Sequence, residues 1–212
     1  MSSIANDATL TAAVEHLKKH DPLLGSVIER YGPCTIRPHH NYYQELVDSI
    51  ISQQLSVHAA RAIEQRFRDL FGGAFPTAEQ ILTTDVETLR RLGFSRAKGN
   101  YVLDLAQHIV DGKIKFDHFD SLSNEEVMAE LLPVKGIGEW TVHMFLMFCM
   151  GRLDVLPVGD LGIRNGVRKL YGLEEVPSPT QVTEIATQNN WHPYESVASW
   201  YIWQSLDNKP AL

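Results

Sequence analysis

The sequence predicts an all-α fold, and three observations lead to that prediction. Apolar residues recur at helical spacing along most of the 212-residue chain, and Ser, Thr or Asp precedes several of these stripes, where N-caps are expected. No segment keeps the alternation of a β-strand, and Thr35-Ile36-Arg37 is the best short candidate. Apolar residues make up 44% of the chain, which is enough to form one large domain or two small ones.

The first apolar stripe, within residues 10–17, predicts a helix that ends at Asp21-Pro22, because proline cannot continue a helix. A second stripe, residues 46–51, pauses over residues 52–56 and resumes through residues 57–67. Ser56 is the expected N-cap of the resumed helix, so a loop is predicted between two helices.

Cap residues mark the helices that follow. Residues 84–87 have the spacing of a capping box, and Gly93 is expected just past the helix that they open. Ser95 is expected to cap the next helix, and residues 123–126 form another predicted capping box. Two further segments are predicted downstream: a loop over residues 174–182 and a final helix over residues 194–202.

Composition excludes several classes of protein. Two cysteines, Cys34 and Cys149, are too few for a disulfide framework or an iron–sulfur cluster, and they fit a reducing, cytoplasmic environment. Residues 1–7 lack the pattern of a secretory signal, and the most apolar run, residues 144–150, is far shorter than the ~20 residues of a membrane helix. No membrane association is therefore expected.

The net charge of −7 argues against a nucleic-acid partner only at first sight. Residues 116–131 and 171–212 together carry −9, which leaves +2 for the rest of the chain. A mildly basic face can therefore exist on a protein that makes few phosphate contacts. Net charge neither supports nor excludes DNA as a partner.

Residues 132–141, Leu-Pro-Val-Lys-Gly-Ile-Gly-Glu-Trp-Thr, carry the sharpest local signal, a G-x-G turn between two helical segments. Gly136 and Gly138 allow a tight turn whose bare N–H groups can bind an anion such as phosphate. A plain helix–helix turn is the alternative, but the helices on either side and the charge of Lys135 favour phosphate binding.

These residues resemble the helix–hairpin–helix motif of the DNA glycosylase superfamily. Residues 156–162, which include Pro-Val-Gly-Asp-Leu-Gly, are similar to the branch of 3-methyladenine DNA glycosylase II. Residues 51–57 and 92–98 match two further segments of that family, and the resemblance spans roughly residues 44–205. It implies a base excision repair enzyme that flips an alkylated base, such as 3-methyladenine, out of double-stranded DNA and hydrolyses its N-glycosidic bond.

The resemblance makes Asp160 the catalytic residue. An Asp after a loop is also a common helix N-cap, and the two roles are compatible because a helix N-terminus favours an ionised carboxylate. Base release builds positive charge on the sugar, and a carboxylate ~4 Å away contributes about 4 kcal/mol at an effective dielectric constant near 20. That energy corresponds to about three decades in rate. Asp160 is also a candidate to orient or deprotonate the attacking water.

Family members that also cut the DNA strand have a lysine two residues after the second hairpin glycine, where this chain has Trp140. Without that amine a Schiff base has no obvious nucleophile, so a monofunctional enzyme that leaves an abasic site is expected. The resemblance also implies that Trp140, Tyr194 and Met144 bind the base. The aromatic faces of Trp140 and Tyr194 suit a cationic methylated ring. Glu195 follows Tyr194 where relatives usually have arginine, so this neighbour is not expected to contact phosphate or base.

Gln53, Gln54 and Leu55 interrupt a helical pattern with a loop tip that is both polar and apolar. The resemblance makes Gln54 the best candidate for a wedge that fills the gap left by a flipped base, with Leu55 beside it. A helix kink with solvated glutamines explains the same residues about equally well. The candidate DNA-binding residues are therefore Gln53, Gln54, Leu55, Lys135, Gly136, Gly138 and Thr141.

No catalytic metal or cofactor is expected. Nine histidines include His16 and His20 at i, i+4, but no carboxylate or cysteine completes a zinc pattern. The resemblance implies instead that the hairpin binds Na⁺ or K⁺ through the backbone carbonyls of Leu132, Val134 and Ile137, without an iron–sulfur cluster.

The predicted architecture is two helical lobes with a cleft between them that admits the damaged base. One lobe spans residues 45–157 and ends with the hairpin, and the other combines residues 1–44 with residues 158–212. Some relatives carry an additional N-terminal β-domain, which is not expected here because the first 44 residues read as helical. A monomer is expected.

Two other functions stay open on sequence alone. The family fold also permits a glycosylase for mismatched or deaminated pyrimidines, because pocket residues alone do not exclude these bases. A non-catalytic helix–hairpin–helix module that binds DNA structure is the third hypothesis, and Asp160 at the catalytic spacing weighs against it.

Overall fold

The computed structural model describes residues 3–206, and helices joined by short turns account for most of them. The α-helices are α1 (Asp7–His20), α2 (Pro22–Tyr31), α3 (Tyr42–Ser52), α4 (Val57–Leu70), α5 (Ala78–Leu82), α6 (Val86–Arg91), α7 (Arg96–Val110), α8 (Asn124–Leu131), α9 (Glu139–Met144), α10 (Leu161–Tyr171), α11 (Pro179–Gln188) and α12 (Glu195–Gln204). A 3-10 helix, Phe116–Ser121, precedes α8, and a π-helix, Phe145–Cys149, follows α9.

The all-α prediction is confirmed. Within residues 3–206 no strand occurs, and β-type pairing is limited to an isolated bridge between Ile4 and Arg152. Residues 35–37, the best strand candidate of the sequence, do not form a strand. None of the described helices is long and apolar enough to cross a membrane.

Side chains at helix starts satisfy backbone N–H groups that no helical carbonyl reaches. Ser56 accepts a hydrogen bond from the N–H of Ala59 at 3.3 Å and caps α4, as predicted. Ser95 caps α7 in the same way, through an N–H in its first turn at 3.2 Å. Ser123 and Glu126 form the predicted reciprocal capping box at the start of α8.

The cap of α6 lies one residue later than predicted. The predicted capping box at residues 84–87 is wrong, because Asp85 rather than Thr84 caps the helix and accepts from the N–H of Thr88 at 2.6 Å. Adjacent Thr and Asp residues offer two possible caps, and a carboxylate accepts the stronger hydrogen bond. Gly93 lies past the end of α6 with a φ of 108°, as predicted.

The predicted loop over residues 174–182 is also partly wrong, because α11 begins at Pro179. Ser178 and Gln181 form a capping box at this helix start. Proline is favoured at the first helical position, since it lacks the N–H that would stay unbonded there. Reading Pro179 as a breaker rather than as a first helical residue led to the error.

The described residues divide into two compact units. The central unit comprises Asn41–Val142, and the terminal unit combines the described parts of Met1–His40 and His143–Leu212. The predicted first lobe, residues 45–157, is bounded by the sequence motifs. The central unit begins four residues earlier and ends before the π-helix, at Val142. Of the predicted second lobe, residues 1–2 and 207–212 lie outside the described residues.

Helix α7 is the hub of the central unit, because α3, α5 and α6 all pack against it. Beside it, Phe67 of α4 is fully buried, and the rings of Phe71, Phe75 and Phe94 lie 5.5, 6.1 and 5.5 Å from its ring. Burial of one such ring contributes about 2–3 kcal/mol. This aromatic core packs α4 against the segments that follow α4 and α6.

Helix α12 is the hub of the terminal unit, and α1, α2 and α10 pack against it. Its residues are buried continuously from Ser196 to Trp203. The approach of α10 requires Gly166, because a Cβ at that position would lie 2.3 Å from Cγ2 of Ile202. Helix α10 therefore packs closely against Ile202 of α12.

Asp21 is a fully buried carboxylate in the terminal unit. Its Oδ1 accepts from the N–H of Leu24 at 2.9 Å, where it caps α2. Its Oδ2 accepts from the indole N–H of Trp191 at 2.8 Å and from the hydroxyl of Tyr171. These bonds satisfy the carboxylate and join α2, α10 and the turn before α12.

Asp48 of α3 carries a carboxyl group in unfavourable surroundings. Burial raises its pKa from 3.8 to about 7, and the charge of Glu64 adds to the shift. Among the described residues Oδ1 has no hydrogen-bond partner, whereas Oδ2 accepts from Gln44 at 3.2 Å. Since the pKa is higher in the folded state, this group makes folding less favourable as pH rises from about 4 to about 7.

We expect Asp48→Asn to raise the melting temperature at pH 8 by on the order of 5 °C, and to change it much less at pH 4.5. The amide removes an ionisation that costs free energy only above the unfolded pKa. Differential scanning calorimetry at both pH values measures the effect. Asp69→Asn, an exposed position on α4, is the control for the same change of charge. An equal gain at both pH values would contradict the explanation.

Candidate functional site

Asp160 directly precedes α10 and has the extended backbone of its N-cap. Its Oδ1 accepts a hydrogen bond from the N–H of Ile163 at 2.7 Å, so the carboxylate lies at the positive end of the helix. The Asp160 N–H donates to the carbonyl of Pro157 at 2.9 Å and closes the turn before the helix. The residue is half-buried, so part of it is accessible to solvent.

A second donor reaches the same oxygen of Asp160. The indole N–H of Trp203, on α12, lies 3.0 Å from Oδ1. Trp203 is 2% exposed, and its ring centroid lies 5.9 Å from that of Phe148 in the π-helix. The sequence alone does not indicate this bond, since 43 residues separate the two partners.

Gly162 leaves the space in which this bond forms. A Cβ at position 162 would lie 2.9 Å from Oδ1 of Asp160 and 3.1 Å from Nε1 of Trp203. Any side chain would therefore push the carboxylate and the indole apart. The second glycine of Pro-Val-Gly-Asp-Leu-Gly has this packing role, which its backbone conformation alone does not indicate.

The hairpin, residues 132–138, has a buried apolar base and an exposed tip. Val134 and Ile137 are 1% and 4% exposed, whereas Lys135 and Gly138 are open to solvent. Apart from its chain neighbours, no described residue has an atom within 4 Å of the position that a Cβ would take at Gly138. The backbone at Gly138 is thus open to close approach by a ligand.

Gly136 is required by both conformation and packing. Its φ is 84°, in the left-handed region that favours glycine. A Cβ there would also lie 2.2 Å from the ring of Tyr101 on α7. The hairpin therefore rests on an aromatic ring at the point where its backbone turns.

Asp104 of α7 fixes the other side of the hairpin, a role that sequence reasoning misses. Its Oδ2 accepts from the backbone N–H of Lys135 at 2.9 Å, and its Oδ1 lies 3.2 Å from the Lys135 ammonium. Burial by itself would raise the pKa of Asp104, but these bonds from Lys135 and the nearby His108 hold it below its usual range. The Lys135 N–H is therefore engaged by a carboxylate, while its ammonium stays 72% exposed.

The loop after α3 is fastened to the same helix. The ammonium of Lys98 donates to the carbonyls of Ile51 at 2.8 Å and Gln53 at 2.5 Å, which places a positive charge at the C-terminus of α3. Burial lowers the pKa of Lys98. Lys98 lies in the segment of residues 92–98 that matches the family, but the sequence alone assigns it no role.

The loop also contacts the hairpin directly, within the central unit. The side-chain amide of Gln53 donates to the carbonyl of Gly136 at 2.8 Å. Gln54 and Leu55 are exposed, and Gln54 has a φ of 58°, which is uncommon for a residue with a side chain. Two predicted DNA-binding segments are thus joined, and the tip of the first is held in a strained conformation.

The three residues predicted to bind the base differ in exposure. Trp140, the second residue of α9, is 48% exposed, which is unusual for tryptophan. Met144, at the end of α9, is half-buried. Tyr194 is half-buried and contacts His16 edge-on, with ring centroids 5.1 Å apart. Glu195, beside Tyr194, pairs with His192 at 2.9 Å.

The remaining predicted residues lie at the base of the hairpin. Thr141 is 7% exposed, so its side chain packs inside the central unit. Leu132 closes α8, and the carbonyl of Val134 accepts from the N–H of Ile137 at 3.1 Å. A carbonyl oxygen has a second lone pair, and neutral oxygens are suitable ligands for a monovalent cation. The predicted carbonyl ligands therefore fit Na⁺ or K⁺ in chemical type.

Known proteins are similar to this chain over the segments that contain these residues. Residues 47–192 match the family described as HhH-GPD superfamily base excision DNA repair protein. An alkylbase DNA glycosidase-like protein of Schizosaccharomyces pombe is 33% identical over 206 residues, which cover 95% of this chain and 96% of that protein.

Two solved structures are similar over nearly their whole length. A DNA-3-methyladenine glycosidase from Bacillus halodurans has a TM-score of 0.82 and 37% identity, over 91% of this chain and 88% of that chain. The 3-methyladenine DNA glycosylase of Schizosaccharomyces pombe, in complex with abasic DNA, has a TM-score of 0.77 and 36% identity, over 91% of this chain and 95% of that chain.

The two hairpin glycines provide a matched pair of substitutions. We expect Gly136→Ala to destabilise the protein by on the order of 3 kcal/mol, since alanine meets both a left-handed backbone and the Tyr101 ring. Gly138→Ala should leave stability within about 0.5 kcal/mol of wild type, because open space surrounds its Cβ. Urea denaturation measures both values. Equal effects of the two substitutions would contradict the packing described for Gly136.

Proposed function

The chain belongs to the HhH-GPD superfamily of base excision DNA repair proteins, and we propose that it is a monofunctional DNA glycosylase for alkylated bases such as 3-methyladenine. It hydrolyses the N-glycosidic bond in double-stranded DNA and leaves an abasic site. The likeness to two 3-methyladenine glycosylase structures, over 91% of the chain at 36% and 37% identity, carries this proposal.

Asp160 is the catalytic carboxylate of the proposed reaction. As the base departs, positive charge develops on the deoxyribose, and a carboxylate stabilises that charge. The N–H groups of Ile163 and Trp203 donate to Oδ1 and fix the orientation of the carboxylate for this role. Asp160 also orients or deprotonates the water that attacks the sugar.

The proposed substrate is a base that carries positive charge after alkylation. Such a base is a good leaving group, so the enzyme supplies only modest rate enhancement. The exposed indole of Trp140 offers an electron-rich face for a cationic ring. Tyr194 and Met144 complete the set of proposed base-binding residues.

DNA contacts come from the loop and the hairpin of the central unit. The exposed tip at Gly138, with Gly136 beside it and the Lys135 ammonium nearby, supports binding to a backbone phosphate. Gln54, with Leu55 beside it, is the proposed wedge in the gap left by the flipped nucleotide. Gln53 supports the loop through the Gly136 carbonyl, and the buried Thr141 supports the hairpin from within.

The proposal includes a monovalent cation at the hairpin, bound by the carbonyls of Leu132, Val134 and Ile137. Its chemistry is to hold the hairpin backbone in shape and to add positive potential near a phosphate. No catalytic cofactor and no iron–sulfur cluster take part. The enzyme acts as a monomer in the compartment that holds the DNA, since one chain supplies every proposed contact.

Release of bases from methylated duplex DNA tests the proposed reaction. We expect chromatography to detect free 3-methyladenine with the wild-type protein, and Asp160→Asn to lower its release by about a thousandfold or more. Asparagine is a good N-cap, so the variant should fold and still bind DNA. Asp69→Asn is the matched control for a lost carboxylate elsewhere. Release of uracil or thymine alone would replace the proposed substrate, and full activity of Asp160→Asn would overturn the mechanism.

The state of the product strand tests the monofunctional assignment. We expect an end-labelled duplex to stay intact after base release and to break only when alkali cleaves the abasic site. Trp140 has no amine to form a Schiff base with the sugar. Gel electrophoresis before and after alkali reports strand breaks, and borohydride should trap no covalent adduct. Strand cleavage by the pure protein, together with a trapped adduct, would show that another amine acts as nucleophile.

A further inference from the structure

We propose that Trp203 is a positioning residue for the proposed reaction, because its indole N–H fixes the orientation of the Asp160 carboxylate. This inference rests on the proposed function of Asp160 and adds a residue of the buried helix α12 to the site. Trp203 touches neither DNA nor base in this proposal. It acts only through the carboxylate.

The geometry favours a specific bond over chance proximity. Nε1 of Trp203 lies 3.0 Å from Oδ1 of Asp160, and the N–H of Ile163 lies 2.7 Å from the same oxygen. Two donors from different helices bind one oxygen, so rotation of the carboxylate about its last bond would break both bonds. The second oxygen, Oδ2, is thereby held in one direction.

The donor itself is held firmly. Trp203 is 2% exposed and packs on Phe148, while α12 is the hub of the terminal unit. An indole N–H that is buried away from water requires an acceptor, because leaving it unbonded destabilises the folded protein. Asp160 supplies that acceptor, so the bond also stabilises the position of the indole.

Gly162 gives independent support. It lies two residues after Asp160, and a Cβ there would be 2.9 Å from the carboxylate oxygen and 3.1 Å from the indole nitrogen. The glycine therefore allows the bond and has no other described neighbour as close. A residue with any side chain would separate the pair without removing either partner.

A second indole–carboxylate bond in the terminal unit shows what a purely structural pair looks like. Trp191 donates to Asp21 at 2.8 Å, but Asp21 is fully buried and cannot reach a substrate. Asp160 is half-buried and begins a helix, so part of it can meet one. The same chemical pair thus stabilises the fold at Asp21 and positions a reactive group at Asp160.

Replacing Trp203 by 3-benzothienylalanine tests the bond alone, since sulfur replaces the N–H while the ring keeps its shape. We expect the single-turnover rate of base release to fall about tenfold, as for loss of a hydrogen bond to a charged group. DNA affinity should stay within about twofold of wild type, because the variant keeps every proposed DNA contact. The loss should therefore appear in the rate of the chemical step and not in the binding of DNA.

Trp200 provides the matched control. It lies on α12 and is 7% exposed as a whole residue. Its indole N–H has no hydrogen bond to another described residue, and the indole nitrogen is not among the described polar atoms that are buried without a partner. The same replacement at Trp200 should leave both the rate of base release and the DNA affinity unchanged. Trp203→Phe provides a second variant with natural residues, and its melting temperature separates loss of folding from loss of positioning.

Gly162→Ala should reproduce the Trp203 phenotype by separating the partners. If both substitutions act on the same hydrogen bond, the double variant Gly162→Ala with Trp203→Phe should be as active as the less active of the two single variants. An unchanged single-turnover rate with benzothienylalanine at position 203 would overturn the positioning role. That result would leave the glycosylase proposal intact, because the proposal depends on wild-type base release and on Asp160→Asn.

Discussion

One face of α7 supports both segments that we propose to meet DNA. Lys98 binds the carbonyls at the end of α3, Tyr101 supports the hairpin at Gly136, and Asp104 binds Lys135. These three residues follow one another at intervals of three, so they project from one side of the helix. The helix rises about 9 Å from Lys98 to Asp104. The spacing of the loop and the hairpin is therefore set by a rigid element rather than by the two segments themselves.

In the terminal unit, the corresponding constraint is the fixed orientation of one carboxylate, that of Asp160. Asp160 has its backbone at a helix start and its Oδ1 between two N–H donors. Glycines at positions 162 and 166 bring α10 against α12 closely enough for this arrangement. A carboxylate fixed in this way needs little reorganisation when positive charge develops near it, which is the main advantage of a folded site over water.

Local chemistry explains why much of the fold is predictable from the sequence. Ser56, Ser95 and Ser123 each cap a helix because the cap and its N–H partner are three residues apart. The G-x-G turn and Asp160 are found by the same short-range pattern and by family resemblance. The bonds from Asp104 and Trp203 span 31 and 43 residues, and no local pattern indicates them. Such contacts depend on helix packing, which sequence periodicity describes only as a buried face.

The backbone of Gln54 has a consequence for the stability of the loop tip. A residue with a side chain at a φ of 58° costs about 1–2 kcal/mol that glycine would avoid. In return for this cost, the loop tip carries an exposed side chain that extends further from the backbone than glycine could.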